Sequence, residues 1–124
     1  MLEKHLLANI IEVAQLAGWL AFHPVEAQVR PGVWATNQQG NRGFPDLVLS
    51  HPERHETLFI ECKSETGALS VHQVAWMHSL KNSGCEWWLI KPHDFDDLVI
   101  RLTHPINKGM AFIDDLLGGK TKLK

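Results

Sequence analysis

The chain has 124 residues, 44% hydrophobic content and a formal net charge of -2 at pH 7. That size fits one globular domain over 1–124 with a modest core, and no stretch has the length and apolarity of a membrane span or a secretory leader. The faintly acidic balance gives no compositional sign of nucleic-acid binding, and the two cysteines, Cys62 and Cys85, read as reduced core thiols of an intracellular protein.

The chain opens on a helical pattern. Leu2, Leu6, Ile10, Val13 and Ala17 recur at helical spacing, with Leu7 and Ala14 widening the stripe, and Gly18 stands where a C-terminal cap belongs. A helix is predicted over roughly 2–17. It carries two acids, Glu3 and Glu12, nine positions apart. At ~100° per residue they fall on opposite sides of the helix. The apolar stripe centres near Glu3, so Glu3 is the inward acid of the first turn and Glu12 the solvated one. From Trp19 to Arg30, broken at His23-Pro24, Val25, Ala27 and Val29 alternate with polar residues as in a half-buried strand. Pro31 to Gly43 holds three glycines and two asparagines and reads as turns, bracketed by Arg30 and Arg42, with Trp34 as a core residue.

Gly43 to Lys63 reads as a strand, a polar hairpin and a second strand. The apolar runs are Leu47-Val48-Leu49 and Leu58-Phe59-Ile60. Side chains alternate along a strand, so Phe59, Glu61 and Lys63 share one face and Leu58, Ile60 and Cys62 the other. Asp46 opens the first strand, which puts two carboxylates and an ammonium at adjacent strand ends. A solvated pair on an open sheet face is the plain alternative, but apolar runs imply covered faces and favour a cleft. Two neighbouring carboxylates repel unless a cation lies between them, and a hard divalent ion suits that role. His51-Pro52-Glu53-Arg54-His55 reads as a solvated loop, since its two histidines have no third ligand at zinc spacing.

Beyond Lys63, a loop over Ser64 to Gly67 leads into a helix that Ser70 opens and that runs to about Asn82, with Gly84 after it. Ser70 and Gln73 fit a capping box. Trp76, Met77 and Leu80 carry the apolar face. Cys85 to Lys91 reads as a buried strand, parallel to the preceding one because a helix connects them. A short helix is predicted from Asp94, as its cap, to Leu102, then another over 104–117 and a basic tail over 120–124. Gly119-Lys120-Thr121 fails as a phosphate-binding loop, because Asp114 stands where the first glycine is required.

Pro45-Asp46 followed by Glu61-Cys62-Lys63, within the strings GFPDLVL and FIECKSETGALS and ahead of Gln73-Val74-Ala75-Trp76, resembles the VRR-NUC branch of the PD-(D/E)XK nuclease superfamily. The resemblance spans roughly Glu3 to Asp96. It implies an α/β, restriction-endonuclease-like fold, a mixed central sheet flanked by helices. It also implies a DNA endonuclease dependent on Mg2+ or Mn2+, acting as a homodimer on branched DNA such as four-way junctions.

By the same resemblance, Asp46, Glu61 and the backbone carbonyl of Cys62 hold the metal, and Glu3 joins them, directly or through water. Lys63 stands beside the attacking water; two adjacent carboxylates favour its ammonium form and hence an electrostatic role. Gln73 projects toward the metal in that reading. Its amide is expected either to cap the helix or to face the site, not both in one rotamer, and the site is favoured. Arg42, Arg30, Lys120 and Lys122 are candidate DNA contacts. Two alternatives stay open: a non-catalytic DNA-binding or assembly module with the same fold, and a nuclease for DNA ends or damaged bases.

Overall fold

The computed structural model describes residues 2–24, 27–35 and 40–106, with the backbone alone at 27–30 and 33–35. Its first element, α1 (Glu3–Leu16), follows from an uninterrupted run without glycine or proline. Leu6, Ile10 and Ala14, at i and i+4 spacing, are fully buried, each leucine- or isoleucine-sized side chain contributing about 1.5–3 kcal/mol by leaving water. Leu2 lies outside this stripe and is exposed. The helix ends in a Schellman motif: Trp19 N–H donates to the Ala14 carbonyl and Gly18 N–H to that of Gln15, with Gly18 at φ +95°.

β1 (Leu20–Phe22) comes next, then a separate ribbon of β2 (Ala27–Arg30) and β3 (Val33–Ala35). β4 (Leu47–His51) and β5 (Glu56–Cys62) form a hairpin. α2 (Val71–Asn82) crosses to β6 (Glu86–Ile90), and a 3-10 turn over Pro92–Asp94 leads to α3 (Phe95–Thr103). The main sheet has the order β1-β4-β5-β6, antiparallel except for the parallel pair β5 and β6. It is the mixed sheet flanked by helices that the resemblance implied.

One sheet face carries the core. Leu47 and Leu49 of β4, Leu58, Ile60 and Cys62 of β5, and Ile90 of β6 pack with α1 and with Leu98 and Leu102 of α3. α2 covers the opposite face more lightly, and none of its residues is fully buried. There Phe44 bridges the edges of Phe59 and Trp76, at ring separations of 6.0 and 5.0 Å.

Several expectations need correcting. His51 is not in a solvated loop: it ends β4, only 6% exposed, with Nε2 bonded to the Ala17 carbonyl and its ring edge-on to Trp19. The charged stretch around it concealed that Trp19 and the end of α1 cover it. β6 is half-buried except at Ile90, because it forms the sheet edge. Cys85 is correspondingly half-buried rather than core; both cysteines are free. Asp94 caps the 3-10 turn by accepting from Lys91 N–H and makes no side-chain cap on α3. The helix expected over 104–117 and the basic tail lie outside the described residues, apart from non-helical 104–106. Among the described residues no helix is long and apolar enough to cross a membrane.

Candidate active site

The ladder between β4 and β5 pairs Leu47 with Ile60. One residue further, the register sets Asp46 opposite Glu61, on the face away from α1 and α3. Strand pairing thus brings together two carboxylates that the sequence separates. Asp46 is held from several directions. Its Oδ2 accepts from the N–H of Cys62 at 2.8 Å, its backbone carbonyl accepts from His23 Nδ1, and the preceding Pro45 is fully buried.

Gly43 keeps this loop against α2. A Cβ there would lie 2.5 Å from the backbone carbon of His72, and φ is +90°. Only glycine fits that approach without moving the helix.

Glu61 is 2% exposed. Its carboxyl is pushed up to about 9, first by burial and then by the charge of Asp46 and the hydrogen bond between the two groups; Lys63 pulls the other way and Glu3 adds to the rise. The same acids, after burial, push the Cys62 thiol up. Metal-free, this pair therefore keeps a proton that an isolated glutamate would have released.

Gln73 departs from the expected choice between two roles. Its Oε1 accepts from Ser70 N–H at 2.8 Å, completing the capping box, and its Nε2 donates to Glu61 Oε2 at 3.0 Å. One rotamer does both, because the amide's two ends face opposite sides and the cap lies beside the site. Lys63 is half-buried; its N–H continues the ladder to Ile90 and Gly67 lies against its stem.

Glu3 is exposed rather than buried, yet its charge reaches both Glu61 and Cys62. Glu12 is also exposed and contributes no such effect. Arg42 is exposed one residue before Gly43. The Arg30 side chain, Lys120 and Lys122 lie outside what the structure describes, as does the side chain of Trp34. Sequence reasoning passed over His23. A lone histidine before a proline carries no pattern, and only the pairing of β1 with β4 brings it to Asp46.

Among the described residues no three His, Cys, Asp or Glu side chains form a ready-made metal cage. The donor set nevertheless suits a hard ion such as Mg2+, which keeps several waters and needs only one or two carboxylates. Residues of an antiparallel strand direct N–H and C=O to the same side, so the Cys62 carbonyl faces the Asp46 side as its N–H does. There the continued register sets Pro45, which has no N–H to take that carbonyl.

A mixed sheet flanked by helices, with paired carboxylates and a lysine at adjacent strand ends, defines the PD-(D/E)XK nuclease class. The sequence matches the VRR-NUC domain family over residues 20–91, and the chain belongs to that family. It is also similar in fold to a solved structure described as a VRR-NUC domain, with a TM-score of 0.59 at 20% identity, covering 79% of this chain and 94% of that one. No curated protein matches it.

Proposed function

We propose that the chain is a DNA endonuclease dependent on Mg2+ or Mn2+, selective for branched DNA such as four-way junctions and active as a homodimer. The observation that carries the metal dependence is the placement of Glu61, buried opposite Asp46, where burial and the second carboxylate both disfavour its charged form unless a cation joins them. Asp46 and Glu61, with the carbonyl of Cys62, would hold the ion, which when bound supplies a Lewis acid at the phosphate and an activated water.

The protein's own residues prepare this site. The Cys62 N–H orients Asp46, and Gln73 orients Glu61, so their oxygens are in place before substrate arrives. Lys63 sets a positive charge where the phosphate gains negative charge. Glu3 acts from the rim, through water. Arg42 contacts a phosphate, and Arg30, Lys120 and Lys122 extend that contact. One site cuts one strand, and symmetric junction resolution needs two, which a C2 pair supplies.

The test is to incubate the pure protein with Mg2+ or Mn2+ and labelled linear, nicked, flapped and four-way DNAs, with Asp46→Ala as control. Metal-dependent cuts favouring the junction are expected. Equal cutting of every DNA would overturn the branched preference; no cutting by wild type, or equal cutting by the control, would overturn the enzyme. Light scattering that gives a monomer mass with junction resolution intact would overturn the dimer.

A further inference from the structure

We propose that His23 is a positioning residue for Asp46, supplying the hydrogen bond that the sheet itself cannot make there. The inference rests on the metal-site reading of Asp46 and Glu61. β1 pairs with β4 through Leu20 with Ser50 and Phe22 with Val48. Lys63 N–H donates to β6, so odd residues of β5 face β6 and even ones face β4. It follows that Leu47 and Leu49 bond toward β5, while Val48 and Ser50 bond toward β1.

By that alternation Asp46 also turns its carbonyl toward β1. The next ladder partner there is residue 24, a proline, which has no N–H to donate. His23 fills the gap from its side chain: Nδ1 bonds the Asp46 carbonyl. A carbonyl only accepts, so Nδ1 carries the proton. On its other side the carboxylate of Asp46 takes the Cys62 N–H. Without His23 the Asp46 carbonyl would have no partner from β1, and the carboxylate would be aimed at Glu61 by the Cys62 N–H alone.

The experiment compares His23→Ala with His23→Asn, whose side-chain N–H stands near the position of Nδ1. Three properties are measured: melting temperature, Mn2+ binding by titration calorimetry, and hydrogen exchange at the Cys62 amide, which reports the Asp46–Cys62 bond without metal or DNA. His23→Ala is expected to weaken Mn2+ binding roughly tenfold, as the loss of a group supporting a metal ligand does, and to speed Cys62 exchange at nearly unchanged melting temperature. His23→Asn is expected to restore most of both. Wild-type Mn2+ affinity and Cys62 protection in His23→Ala, or no rescue by His23→Asn, would overturn the proposal. If wild type neither binds Mn2+ nor cuts DNA, the functional reading fails, and Cys62 exchange still decides the role of His23.

Discussion

Strand β5 buries a glutamate at each end, and the two ends treat that burden oppositely. Glu56 is 5% exposed and Glu61 2%. Glu56 accepts from Arg101 Nη1 at 3.0 Å and from the N–H of Ile106 at 2.9 Å. Arg101 also holds Glu86 through two bonds of 2.8 Å and lies over Trp19. Burial works to lower the Arg101 pKa, but its bonds to Glu86 and Glu56 outweigh that and leave it raised.

At the other end Glu61 meets a second carboxylate and an amide. Among the described residues no lysine or arginine pairs with it at contact distance. A buried acid that serves the fold brings its own cation. A buried acid that lacks one holds a proton, or waits for a cation from solution.

The largest effect expected from breaking this contrast is at the Glu61 end. Asp46→Ala and Glu61→Ala should each lower cleavage on the order of 10³-fold, measured as single-turnover rates per folded molecule. Lys63→Ala should be similarly inactive yet keep Mn2+ affinity. Robust cutting by Glu61→Ala would dissolve the comparison.

At the structural end, Glu56→Ala leaves Arg101 buried with one carboxylate instead of two. It should cost ~3 kcal/mol in urea unfolding, the lower end for a broken buried pair, because Glu86 remains. Cleavage per folded molecule should be unchanged. The opposite result is expected of Glu61→Gln in the metal-free protein at pH 8, which should melt above wild type, since the neutral amide replaces an acid that the fold prefers uncharged.

A third test sharpens where the functional end stops. Glu3→Gln should slow cleavage roughly tenfold, as a group acting on the metal site from its rim would, while Glu12→Gln should be silent. Activity that follows Glu12 instead would mean that α1 presents the wrong acid to the site.

The pH dependence tests the same end without a substitution. The carboxyl of Glu61 lies at about 9 in the fold against 4.5 ordinarily. Its protonated form therefore stabilises the metal-free fold fully below ~pH 4.5, and that contribution is lost as pH rises through about 9. Metal must displace the proton, so Mn2+ affinity should climb by up to about tenfold per pH unit between pH 6 and 8. Calorimetry in buffers of different ionisation enthalpy should show a proton released. A flat profile would mean that Glu61 is already ionised.

Local pattern carried much of this. The stripe through Leu6, Ile10 and Ala14, the apolar runs of β4 and β5, the Ser70 cap and the crossover to β6 all depend on neighbours in the chain, and each was legible from spacing. So was the shared face of Phe59, Glu61 and Lys63. What local pattern missed has a common cause. His51, Arg54, Glu56, Glu86 and Arg101 look like ordinary surface residues one by one. They become a partly buried cluster only because Trp19 and the end of α3 pack against them; Arg54 and the Trp19 indole both donate to the Leu102 carbonyl.

The sequence by itself determined which residues can form strands and helices, and which strand ends carry acids, because alternation and helical periodicity are properties of short runs. Register and layer order belonged to the tertiary structure. Whether Asp46 faces Glu61 depends on the pairing of Leu47 with Ile60. That Gln73 caps α2 and touches Glu61 at once depends on how closely Gly43 lets the loop approach the helix. His23 reaches Asp46 because β1 lies beside β4 and the ladder runs out at Pro24. These are contacts between segments far apart in the chain, and their energies come from burial and hydrogen bonding that exist only once the sheet has formed.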